Sequence, residues 1–180
     1  MGEAKRKRES FKALAIKQME RWDFPATEAE AQAVTEIEKL PVITVQRYPA
    51  HIIKQMGMPP NECHANARFM VNNDPEGKCR QISGYWPQAG NYVLHSVVER
   101  DGEVFCVTPL QIKGPDRFQF IPDPDLEWKE EGGYMVAYRK GLAVEPGFRR
   151  DPAENKRIQE IILARIEAGM HPLQAGEPPF

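Results

Sequence analysis

The chain has 180 residues, 41% of them hydrophobic and 28% charged, with a formal net charge of −2. That length suits a single domain over 1–180 with one substantial core, and the near-neutral balance gives no electrostatic footprint for nucleic acid. No apolar run approaches the roughly 20 residues that cross a membrane, and the basic start Lys5-Arg6-Lys7-Arg8 lacks the apolar stretch of a secretory signal, so a cytoplasmic location is expected.

Residues 4–22 carry Phe11, Leu14, Ala15, Met19 and Trp22 at helical spacing. They predict a first helix, with 1–24 peripheral to a core over 60–140. Thr27-Glu28-Ala29-Glu30 reads as a capping box, the threonine oxygen taking the Glu30 amide while the Glu30 side chain reaches back. It launches a helix through Val34, Ile37 and Leu40 that Pro41 stops. Val42 to Val45 is β-branched and strand-like. After the loop Met56-Gly57-Met58-Pro59-Pro60, Asn61 is the expected N-cap of a helix running to about Asn73, with Cys63 in its first turn.

Asp74-Pro75-Glu76-Gly77 is a turn, and the chain then reads as β to Tyr138: 80–86, 92–100, 103–108, 118–121 and 134–139. Asp101-Gly102 suits a type I′ hairpin. Asp151-Pro152-Ala153-Glu154 opens a closing helix bearing Ile158, Ile161, Ile162 and Ile166, and 170–180 reads as an irregular tail. Helices first, then an antiparallel sheet, then a final helix predict an α+β fold in which the Cys63 helix packs on the sheet.

The chemistry-bearing residues gather in the middle of this plan. A helix N-terminus favours an anion, so Cys63 there is expected to hold a lowered thiol pKa. His64, next in sequence, points about 100° away around the helix and is a pocket-wall residue rather than a base; Asn66 shares the Cys63 face and can polarise a carbonyl. His95, on a strand face with Val93 and Val97, is the better base. A two-residue turn at 101–102 would set Val97 opposite Cys106 and His95 opposite Thr108, which could orient the imidazole. Tyr85 and Trp86 are expected to line a substrate groove. The rival readings are a core cysteine and a satisfied core histidine.

The run Cys-His-Ala-Asn at 63–66, Gly84-Tyr85-Trp86, His95-Ser96-Val97-Val98 and Cys106-Val107-Thr108-Pro109 resembles a group of small bacterial and phage proteins sharing Cys-His-x-Asn, Gly-Trp, a strand histidine and Asp-x-Thr-Pro. The order is also similar to papain-like and transglutaminase-like thiol enzymes. The resemblance covers about 60–110. It implies a cysteine-dependent hydrolase or acyltransferase in a bacterial cell or phage-infected host. Cys63 is then nucleophile and His95 base, with Asn66 and Thr108 assisting, and no cofactor is called for. Cys106 falls where the pattern has its acid, a departure that favours the alternative of a binding protein acting on a host component. Zinc is the third reading: Cys63, His64, His95 and Cys106 are suitable ligand types, but no Cys-x-x-Cys or His-x-x-x-His pair is present.

Overall fold

The computed structural model describes residues 2–110 and 115–177. These residues form five helices, a short sixth and nine strands. The helices are α1 (Glu3–Glu20), α2 (Glu28–Ile37), α3 (Ala50–Gln55), α4 (Cys63–Asn72), α5 (Pro152–Glu167) and the four-residue α6 (Pro172–Ala175). The strands are β1 (Ile43–Arg47), β2 (Arg80–Gln88), β3 (Asn91–Arg100), β4 (Glu103–Cys106), β5 (Arg117–Pro122), β6 (Leu126–Glu131), β7 (Tyr134–Arg139), β8 (Leu142–Ala143) and β9 (Gly147–Arg149). The α+β expectation holds at that level.

The sheet closes. Its order β2-β5-β1-β4-β3 returns to β2, making a five-stranded barrel with β9 attached to β3, while β6, β7 and β8 form a separate three-stranded sheet. One ladder, β1 to β4, is parallel, joining Gln46 to Phe105 and Arg47 to Cys106. An all-antiparallel sheet is therefore not what forms: a connection of more than 50 residues lets β1 and β4 run the same way, which a hairpin cannot do. Closure depends on Gly84, which pairs with His95 on one side and Pro122 on the other. A Cβ there would lie 2.1 Å from the Ile121 carbonyl oxygen and 2.8 Å from Phe120, so the two strands approach as they do only because position 84 has no side chain.

Strand alternation divides the core. Val45, Val97, Cys106, Phe118 and Phe120 fill the barrel. Tyr85, Tyr92, Leu94 and Ile121 face outward and pack with Ala33, Val34 and Ile37 of α2 and with the second sheet. A smaller cluster of Ala67, Cys79, Val98 and Val107 lies beneath α4, so Cys79 is a packing residue. The spacing of Cys63, Asn66, Ala67 and Met70 is the helical stripe that seats α4 on β3.

Several local signals read from sequence are present. Asp101 and Gly102 have φ of 52° and 85° and join Arg100 to Glu103 as a two-residue turn. Asp151 caps α5 through the Glu154 amide, and Thr27 caps α2 through the Glu30 amide. Others differ. Glu30 does not reach back to its own cap; its carboxylate binds Arg149. Glu62, not Asn61, is the N-cap of α4, and Asn61 takes a left-handed φ of 64° to turn the chain into the helix. Trp128 lies on strand β6, where no strand was expected, and the tail contains α6; residues 178–180 lie outside the described residues.

Candidate active site

The edge of β3 carries a gap. Its residues 98–100 pair with β4 and 91–93 with β9, and Leu94 N–H donates to the Pro146 carbonyl. Among the described residues, 95–97 have no strand partner on that edge, and the start of α4 sits against it. Cys63 is 7% exposed, and the N–H groups of Ser96, His64 and Cys63 itself face its sulfur. These amides favour the thiolate, yet burial outweighs them and pushes the thiol up to about 11, with Cys106 adding to the rise. The lowered pKa expected from the helix terminus is thus reversed by desolvation.

His95 projects from the same stretch into the barrel, ringed by Trp86, Phe118 and Phe120 at centroid distances of 5.7, 5.6 and 6.2 Å. Burial pulls its pKa down to about 3, aided by His64 and Arg47, so it is neutral at pH 7. Its Nε2 lies 3.4 Å from Cys106 Sγ. No hydrogen bond to its Nδ1 occurs among the described residues. The diagonal meeting of His95 and Cys106 follows from the hairpin register, but Thr108 does not stand across from the imidazole. The β3–β4 ladder ends at Val98 and Phe105, and the chain beyond turns toward α4, where Thr108 Oγ1 accepts from Asn66 Nδ2 at 3.2 Å.

Asn66 is committed as well. The same amide nitrogen donates to the Pro59 carbonyl at 2.9 Å, so Asn66 clamps the loop before α4 to the segment after β4. His64 faces away from the barrel: its Nδ1 is 2.8 Å from Ser96 Oγ, its ring lies tilted against Trp128 at 4.6 Å, and burial with Arg68 nearby pulls its pKa down to about 4. Tyr85 is fully buried in the outer core and lines no groove, whereas Trp86, one residue on, turns inward beside His95. The pair expected to act together is split by the strand pleat.

One functional candidate escaped the sequence. Arg47, last residue of β1, enters the barrel end beside His95, with its guanidinium 4.9 Å from the Trp86 ring and 4.7 Å from Phe118. It donates through Nη1 to the Thr108 carbonyl at 3.2 Å and to Cys106 Sγ at 3.5 Å. No local signal marks it, since these partners lie about sixty residues away along the chain. Three His, Cys, Asp or Glu side chains able to hold one metal ion do not converge anywhere among the described residues, and no helix among them is long and apolar enough to cross a membrane.

Fold and site together define an α+β protein in which a helix-borne cysteine packs at a break in the edge of β3, on a five-stranded barrel whose interior holds a strand-borne histidine; among the described residues no hydrogen bond joins Cys63 to His95. No family model, curated protein or solved structure matches the chain.

Proposed function

We propose that this protein is a cysteine-dependent hydrolase or acyltransferase of papain-like layout, acting on an amide, ester or thioester. The observation that supports this most is the His95 Nε2 contact with Cys106 Sγ at 3.4 Å. A base histidine needs one nitrogen held by an orienting group so that the other can take the nucleophile's proton. In this reading Cys106 takes the orienting role and Nδ1 serves the Cys63 thiol.

With Cys63 ionising near 11 and His95 near 3, the resting pair is a thiol and a neutral imidazole. The proton then leaves sulfur for Nδ1 as sulfur attacks the carbonyl carbon. The S–C bond forms while the carbonyl π pair moves to oxygen, where N–H groups at the α4 terminus favour the oxyanion. Collapse of this intermediate expels the leaving group, which takes the proton from His95. Water, or another acceptor, then releases the acyl group by the same steps in reverse order.

The burial of Cys63 favours a second reading, a binding protein that keeps the frame without the chemistry and engages a partner at this cleft. Alkylation of Cys63, followed by peptide mapping between pH 6 and 11 in the native chain and in His95→Ala, separates the two. A rate at neutral pH that drops at least tenfold without His95 supports the coupled pair. A slow thiol indifferent to His95 leaves the binding reading.

A further inference from the structure

Outside the barrel, four polar side chains of β2, β3 and β6 form a hydrogen-bonded relay that ends on His64. The Trp128 indole N–H donates to Ser83 Oγ at 2.9 Å, the Ser83 and Ser96 hydroxyls meet at 3.3 Å, and Gln81 Nε2 donates to Ser96 Oγ at 2.9 Å. Ser96 Oγ lies 2.8 Å from His64 Nδ1. Ser96 is buried, so its hydroxyl is satisfied from within the protein. A hydroxyl has one proton to give and two lone pairs to fill. With Ser83 and Gln81 donating, both lone pairs of Ser96 are taken and its proton goes to Nδ1. In the opposite sense, from Nδ1–H through Ser96 to Ser83, the Ser83 proton would meet no acceptor among the described residues. The first sense satisfies every member of the relay.

We infer that Ser96 is a positioning residue that fixes His64 as the Nε2–H tautomer, making His64 a hydrogen-bond donor beside Cys63 and not a base. Which nitrogen of an imidazole keeps its proton is set by the bond that the other makes. Ser96 joins the two residues, since its Oγ holds Nδ1 while its N–H faces the Cys63 sulfur. The Trp128 ring at 4.6 Å steadies the imidazole, and Arg68, one turn along α4, disfavours a second positive charge there. The residue is half-buried, and its Nε2 has no hydrogen-bond partner among the described residues. A neutral Nε2–H suits a carbonyl or carboxylate oxygen. With no free lone pair, His64 does not accept the thiol proton, which leaves that step to His95. That the oxygen belongs to an acyl substrate rests on the thiol reading above; the tautomer does not.

A long-range 1H–15N spectrum of the 15N-labelled protein at pH 7 tests this, with His64 assigned from His64→Gln. A proton bonded to Nε2 and a bare Nδ1 are expected. A proton on Nδ1, or the averaged signals of a free imidazole, would overturn the assignment. Ser96→Ala should move His64 to that averaged state, and a ring unchanged there would remove the positioning role. If Ser96→Ala does not fold, the native spectrum decides on its own. Turnover of p-nitrophenyl acetate supplies a second readout. His64→Ala should lower kcat about a hundredfold without shifting the pH profile, and His64→Gln, which keeps an N–H donor, should restore part of the loss. A limb of the pH profile lost in His64→Ala would make His64 the base and overturn the donor role. A native chain that leaves the ester intact counts against the thiol reading, while the spectrum still decides the tautomer.

Discussion

Arg149 and Arg47 are both held against aromatic rings inside this protein, and the fold treats them in opposite ways. Arg149 is enclosed by Glu30, which takes Nε and Nη2 at 3.0 and 2.7 Å, and by the carbonyls of Trp22, Phe24 and Pro25, with the Phe24 ring 3.7 Å from its guanidinium carbon. Its charge is paired and its donors are used. Arg47 sits with two neutral neighbours, His95 and Cys106, and its Nη2 meets no hydrogen-bond partner among the described residues. A satisfied buried ion pair fixes β9 to α2, and the Trp22, Phe24 and Pro25 carbonyls tie it to the segment before that helix; Arg47 is held instead by neutral acceptors and two contacting rings.

The largest effect should come from the bolt. Glu30→Ala leaves Arg149 buried and uncompensated and should lower the unfolding free energy by about 3–5 kcal/mol, read from urea denaturation. Arg47→Gln should cost no more than about 2 kcal/mol; equal losses at the two positions would end the comparison. Next is the barrel seam that frames the site. Gly84→Ala places a Cβ against the Ile121 carbonyl and should destabilise by about 1–3 kcal/mol, with an unchanged urea midpoint showing that β2 and β5 do not close as described.

Acid separates the regions by window. His95 and His64 fall from 6.5 to about 3 and about 4 because burial disfavours their charged forms. The unfolded chain therefore binds protons that the native chain refuses. Stability is full above 6.5 and falls with acidification below it, at about 1.4 kcal/mol per pH unit for each histidine. The carboxylates Glu36 and Asp74, lowered to about 2 by hydrogen bonds, lose their contribution only below about 4.5. Denaturation midpoints between pH 6.5 and 4.5 should thus report the site, and His95→Gln should flatten that slope; a slope confined to lower pH would assign acid sensitivity to the carboxylates. The smallest effect on the fold should be Cys63→Ala, at about 1 kcal/mol, with any ester or thioester turnover abolished. Turnover retained in that variant removes the thiol mechanism.

Much of this layout was legible because local chemistry dictates it. Asp101-Gly102 can hold two positive φ angles in succession, so the β3–β4 register followed, and with it the meeting of His95 and Cys106. The helix bearing Cys63 was read from Asn61 as its N-cap, one residue before the cap that forms, and the caps at Thr27 and Asp151 from side-chain oxygens next to free amides. The register argument failed two residues further on, at Thr108, where a backbone turn toward Asn66 outweighed continuation of the ladder. The strand reading also missed β6 and β8, which pair with β7 across the two-residue turns 132–133 and 140–141, and β9, whose partner β3 lies more than 50 residues earlier.

The sequence by itself determined the α+β class, the order of thiol helix and histidine strand, and the two-residue turn that joins β3 to β4, because these depend on spacing and on contacts within a few residues. Only the tertiary structure decided that the sheet closes on Gly84, that Glu30 serves Arg149 rather than its own helix cap, that desolvation reverses the helix effect on Cys63, and that Arg47 enters the site. Each of these is set by groups brought together from about 30 to more than 100 residues apart. Burial and pairing energies at that range depend on which surfaces meet, and no short stretch of chain encodes them.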